Sequence, residues 1–129
     1  MSLIGGFAET EADYDSSAGN SLIRYCYYLH VRQGEERYQT CAPSMDWIRE
    51  ALRGCAQACS RRETAKIKVP VLLLQAGRDA YVRNDVQELF AARVPSCELV
   101  RYPELRHELY MSDLREQVPY WEKIFAFLG

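Results

Sequence analysis

The run Val69-Pro70-Val71-Leu72-Leu73-Leu74 constrains this chain more than any other stretch of it. It is short, continuously apolar and followed by a turn at Gly77, which fits a strand buried on both faces, as parallel sheets require. Proline cannot donate to a ladder, so Pro70 belongs at the start of that strand. Downstream, Val86, Leu89, Phe90 and Val94 recur at helical spacing and predict an amphipathic helix capped by Asn84 or Asp85. A second strand is expected over residues 97–102. Strand, helix and strand so close together make a βαβ unit, whose strands run parallel. A closing helix carries Leu114, Val118, Trp121, Phe125 and Leu128 on one face. Pro119 is expected to kink that helix or to open its main segment.

Residues 61–68 are a charged stretch across which the chain changes character. Before it, residues 21–29 (SLIRYCYYL) have helical periodicity. Ser44 can cap a further helix in which Trp47, Ile48, Ala51, Leu52 and Cys55 form one stripe. Two helices with polar connections are predicted there, and no strand. The apolar run wants neighbours on both edges and both faces, whereas a two-stranded parallel sheet makes a poor domain. The expectation is that something else supplies the rest of a larger sheet.

Charge and composition exclude several function classes. The 16 Lys+Arg are scattered among 18 Asp+Glu, a net charge of −2, so no basic stripe exists and nucleic acid is not an expected partner. The longest uncharged stretch, residues 69–77, is far below the roughly 20 residues of a membrane-spanning helix, so no transmembrane segment is expected. No signal peptide is read at the start, and Met1-Ser2-Leu3 is set aside as an expression scar. The five cysteines, Cys26, Cys41, Cys55, Cys59 and Cys97, are odd in number and predict reduced thiols in a cytoplasmic protein. Cys55 and Cys59 at i, i+4 share a helix face, but zinc wants three or four ligands and the histidines are only His30 and His107. No metal is expected, and the two cysteines read as small packing residues. Gly77 stands without a phosphate-cradling glycine cluster, which disfavours a nucleotide-binding protein, and no cofactor is expected.

In open α/β sheets the chemistry gathers at the carboxyl ends of strands, here just past Gln75 and Tyr102. Asp79 lies in Gly77-Arg78-Asp79-Ala80-Tyr81-Val82, and His107 in Leu105-Arg106-His107-Glu108-Leu109. Alone, Asp79 reads as a turn residue bonding its own backbone, and a loop histidine says little more. At adjacent strand ends of one βαβ unit, the two read as a catalytic acid and base that hydrogen-bond. His30 follows a helical stretch and reads as a surface or helix-terminal residue.

Residues 67–129, with Val69-Pro-Val-Leu-Leu-Leu-Gln-Ala-Gly, Arg78-Asp79 and Arg106-His107-Glu108-Leu109, resemble the C-terminal end of α/β-hydrolases of the lysophospholipase and monoacylglycerol lipase group. Arg24-Tyr25, Tyr27-Tyr28, residues 36–40 (ERYQT), Ser44 and Trp47-Ile48-Arg49-Glu50-Ala51 resemble the helical cap of its bacterial lysophospholipase branch. The resemblance implies an α/β class and a partial α/β-hydrolase fold. Residues 1–62 would be a cap or lid segment, and residues 63–129 the C-terminal part of the core. It implies a Ser-His-Asp hydrolase in which Asp79 orients His107, and His107 acts as general base and then general acid on a lysophospholipid or monoacylglycerol-type ester. Tyr25, Tyr28 and Trp47 would contact the acyl chain or fill the cap's own core.

Such enzymes carry their nucleophile in Gly-x-Ser-x-Gly. The serines here are Ser2, Ser16, Ser17, Ser21, Ser44, Ser60, Ser96 and Ser112, and none has glycine two residues away on both sides. The expectation is a truncated serine hydrolase, inactive alone, which self-associates or needs a missing N-terminal half. One reading competes with it, a non-catalytic module that binds lipid or protein; a cysteine nucleophile is disfavoured because Cys41, Cys55 and Cys59 fall in the cap-like region.

Overall fold

The structure, a computed structural model, describes residues 9–40 and 43–129. Cys41 and Met1-Ser2-Leu3 lie outside the described residues. The sheet has two strands, β1 (Val71–Ala76) and β2 (Cys97–Tyr102), paired in parallel with Val71 opposite Cys97 and Ala76 opposite Tyr102. Pro70 precedes the ladder, which begins where the Val71 N–H donates to the Ser96 carbonyl at 3.0 Å. Between the strands runs a helix over Asn84–Arg93, and the chain ends in one over Leu114–Leu128. Upstream lie α1 (Leu22–Gly34), α2 (Met45–Ala58) and the short α3 (Arg61–Thr64), so the two helices just named are α4 and α5. A two-turn 3-10 helix occupies Glu11–Ser16, and single 3-10 turns occupy Glu36–Tyr38 and Leu109–Met111.

Local chemistry explains most of these boundaries. The Ser44 hydroxyl accepts the Trp47 N–H at 3.1 Å and starts α2. Ser60 accepts the Glu63 N–H at 3.3 Å and opens α3, one turn of helix inside the charged stretch. Two expectations need correction. Arg83, not Asn84 or Asp85, occupies the cap position of α4. The Asn84 side chain is spent elsewhere, donating to the Gly77 carbonyl at 3.2 Å, and Asp85 pairs with Arg83. Nor does α5 begin at Pro119; it runs from Leu114. Its first turn is pinned by Gln117, which donates to the Tyr110 carbonyl at 2.6 Å and accepts from Arg24 at 2.7 Å. Those anchors hold the helix on the N-terminal side of the proline.

The core is small. Ala76, Leu105 and Leu109 cluster under Leu74, Tyr102 and Tyr120, while Tyr25 and Leu29 are buried one turn apart on α1. The strand expected to be buried on both faces is only half-buried from Val71 to Leu74. The stripe of α5 faces outward, with Leu114, Val118, Trp121, Phe125 and Leu128 all 41–73% exposed. Helix α2 buries no residue, and Cys55 on it is exposed rather than packed. No further strand occurs among the described residues. Among these residues no helix is long and apolar enough to cross a membrane.

Gly77 sets how β1 hands over to the loop that carries Asp79. Its N–H donates to the Tyr102 carbonyl at 2.9 Å, and an added Cβ would land on the Pro103 backbone. Backbone cannot swing aside as a side-chain tip can. Gly77→Ala is therefore expected to destabilise the fold by at least ~1–3 kcal/mol. Thermal unfolding should register this as a fall in Tm of about 3–5 °C per kcal/mol.

Candidate active site

Asp79 follows the turn that Gly77 opens, and His107 lies five residues past the end of β2. The structure brings them together: His107 Nδ1 is 2.9 Å from Asp79 Oδ2. The Asp79 side chain is 3% exposed and that of His107 is 40% exposed, so the carboxylate is enclosed and the imidazole is open to solvent. Asp79 Oδ1 accepts the backbone N–H groups of Tyr81 at 2.8 Å and Val82 at 2.9 Å. The two oxygens of Asp79 are thus used differently. One organises the loop, and the other faces the imidazole.

Burial pushes the Asp79 carboxyl up. The hydrogen bond with His107 and the two amides outweigh it, leaving the pKa below the ordinary aspartate value. An ionised Asp79 is acceptor only, so the proton on its neighbour sits on Nδ1 and Nε2 keeps its lone pair. That is the tautomer a general base needs.

A carboxylate whose pKa is lowered by folding contributes stability above its unfolded pKa. This contribution is lost as pH falls through the folded one. Urea midpoints are accordingly expected to drop for the wild type in the acidic range below the usual carboxylate pKa. In Asp79→Asn this component of the pH dependence should be missing.

His107 opens on a cavity of about 530 Å³, whose wall includes Gly19, Tyr25, Tyr28, Tyr81 and Glu108. The Tyr81 ring lies 5.1 Å from the imidazole, tilted by 50°. Tyr25 is on this wall but its hydroxyl is engaged, its single proton lying between two acceptors, the Thr10 carbonyl at 2.8 Å and Glu9 Oε1 at 3.1 Å. Burial, followed by the bond and charge of Glu9, pushes its pKa up to about 12. Tyr25 is buried, as a residue that fills the core around α1 would be. Tyr28 is exposed and also borders a second, mostly apolar groove of about 780 Å³ along Ile23, Tyr27, Val31 and Leu114. Trp47 is 64% exposed on α2 and is not on the wall beside His107, nor is His30, which is exposed on α1.

Among the described residues no serine hydroxyl is bonded to His107. Ser16 donates to the Asp13 carbonyl at 2.9 Å and Ser17 to the Gly19 carbonyl at 3.3 Å. No group of three or more His, Cys, Asp or Glu among these residues is placed to hold a metal ion. Sequence reasoning missed Tyr81 and the bonds made by Asn20 and Arg106 around the histidine. Tyr81 carried a usable signal, two residues from Asp79. Asn20 carried none, being far away in the chain.

A family model described as Serine aminopeptidase, S33 matches residues 17–114. No curated protein and no solved structure matches the chain.

Proposed function

Because the chain belongs to the hydrolase family described as Serine aminopeptidase, S33, and its fold is a partial α/β-hydrolase fold, we propose that it carries the acid and base of a Ser-His-Asp ester hydrolase. The observation that carries this reading is the 2.9 Å contact between His107 Nδ1 and Asp79 Oδ2, at the carboxyl ends of two paired parallel strands. In the reaction, His107 Nε2 takes the proton of a serine hydroxyl as its oxygen attacks the ester carbonyl. It returns that proton to the leaving alkoxide, and a water deprotonated in the same way then releases the acyl group.

The nucleophile comes from outside these 129 residues, since none of their serines stands in Gly-x-Ser-x-Gly. Residues 1–62 act as the cap and residues 63–129 as the C-terminal part of the core. The substrate class is a lysophospholipid or monoacylglycerol-type ester. Its support is the pair of cavities that meet at Tyr28, a mixed one beside His107 and a more apolar one along α1. An amphiphile with a polar end at the dyad and a hydrocarbon chain along Ile23 and Val31 fits that division. The site of action proposed is the cytoplasm. We propose too that the isolated chain self-associates through its uncovered apolar faces.

The expected result with p-nitrophenyl esters is no turnover by the purified chain or by His107→Ala. A complementary N-terminal half bearing Gly-x-Ser-x-Gly should restore cleavage to the wild type and not to His107→Ala. Turnover by the chain alone that His107→Ala abolishes would mean that a nucleophile is present within it. Restored folding without restored cleavage would favour a non-catalytic module that binds lipid or protein.

A further inference from the structure

We infer that Arg106 is a positioning residue, which with Asn20 straps the His107 loop to residues 14–20 and so holds the imidazole against Asp79. The inference rests on the dyad proposed above and extends it to the groups that keep it assembled. Residues 103–108, which carry His107, belong to no helix or strand, so regular backbone pairing does not place them. The His107 side chain has one hydrogen bond, to Asp79, and is open to solvent. Something other than the ring itself must hold the loop.

The residues on either side of the histidine do this. The Arg106 N–H donates to Asn20 Oδ1 at 2.5 Å, and the Glu108 N–H donates to the Ala18 carbonyl at 2.8 Å. Arg106 Nη1 reaches the Tyr14 carbonyl at 2.8 Å, the Gly19 carbonyl at 3.1 Å and Ser17 Oγ at 3.4 Å. Its guanidinium also lies 5.1 Å above the centre of the Tyr14 ring. Asn20 closes the strap by donating from Nδ2 to the Glu104 carbonyl at 3.2 Å, and Tyr14 donates from its hydroxyl to the Asn20 carbonyl at 2.7 Å.

Contact is close as well as polar. The Met111 carbonyl accepts the N–H groups of Asn20 at 3.1 Å and Ser21 at 3.0 Å, and a Cβ on Gly19 would stand 2.8 Å from Met111 Cβ. Bonds from a charged guanidinium to carbonyls are stronger than neutral ones. Arg106 is therefore the strongest link between the cap-side segment and the loop of the base. Misplacing a catalytic group by an ångström can cost about a hundredfold in rate. A strap on both neighbours of the base prevents that displacement.

The test is nitrogen NMR of the His107 ring, which reports the ratio of Nδ1–H to Nε2–H tautomers, on the wild type, Arg106→Ala, Arg106→Lys and Asn20→Ala. The wild type is expected to hold the Nδ1–H form, and Asp79→Asn to lose it. Arg106→Ala and Asn20→Ala should each lower the ratio several-fold, with partial rescue in Arg106→Lys, whose ammonium keeps the charge beside the carbonyls but loses the planar guanidinium over Tyr14. Leu29→Ala, away from the loop, serves as a stability control and should leave the ratio unchanged. If Arg106→Ala does not fold, Asn20→Ala decides the matter. An unchanged ratio in the folded strap variants overturns the inference and leaves the dyad standing. A wild type without the Asp79-dependent Nδ1–H form overturns the dyad itself. A fall of the ratio in Leu29→Ala as large as in the strap variants reduces Arg106 to a structural role.

Discussion

Asp79→Asn, measured in the chain complemented by a nucleophile-bearing half, is expected to lower kcat by roughly 10⁴-fold while leaving KM nearly unchanged. The size of the effect follows from how the carboxylate is anchored. Oδ1 is fixed by the N–H groups of Tyr81 and Val82, which only donate. Asparagine in the same rotamer must keep its carbonyl oxygen there, so its NH₂ group turns toward His107. Nδ1 then has to accept, the ring proton moves to Nε2, and the base has no lone pair for the serine hydroxyl. Asp79 lines neither of the cavities in which substrate binding is proposed, so KM is expected to hold. An Asp79→Asn enzyme that keeps within tenfold of wild-type kcat would remove Asp79 from the proposed triad. His107→Ala should be at least as severe, because it deletes the proton acceptor itself.

What the sequence made legible was local. The apolar run ending before Gly77, the spacing of Val86, Leu89 and Phe90, and the hydroxyl of Ser44 each act within a few residues. The strands, α4 and α2 lie where those signals put them. The juxtaposition of Asp79 and His107 was legible for a topological reason, since parallel pairing of neighbouring strands brings their carboxyl ends side by side. Properties that depend on distant residues were not legible. Pro119 reads as a kink or as the start of the main segment, and only the ties of Gln117 to Tyr110 and Arg24 explain a helix that begins at Leu114. Asn84 reads as a cap until its amide is seen on the Gly77 carbonyl. Periodicity told which side of α2 and α5 is apolar, but burial also requires a partner, and periodicity cannot supply one. Trp47 and Phe125 are exposed for that reason.

The uncovered faces set the second large effect: in light scattering, the purified chain is expected to exceed its 14.9 kDa mass increasingly as concentration rises. Each strand of a two-stranded sheet has one unpaired edge, and such edges template association. Beside them, α5 presents Leu114, Val118, Trp121, Phe125 and Leu128 to solvent. Burying side chains of this size gains about 1.5–3 kcal/mol each. Each is already partly covered in the free chain, and five from each of two copies give a gross gain of roughly 9–18 kcal/mol. That is comparable with the ~4–15 kcal/mol lost on immobilising two bodies, so hydrogen bonds along an added strand can tip the balance toward association. The double substitution Phe125→Lys with Leu128→Lys removes two of the five contributions and places like charges opposite one another in any symmetric pairing. It should weaken association at least a hundredfold, since about 3 kcal/mol is lost, with little change in the circular dichroism of the chain, because neither side chain is buried. A wild type that stays monomeric at high concentration would contradict the proposed self-association. A double variant that associates as strongly as the wild type would move the interface from α5 to the strand edges or to α2, where Trp47 is the exposed apolar residue to substitute next.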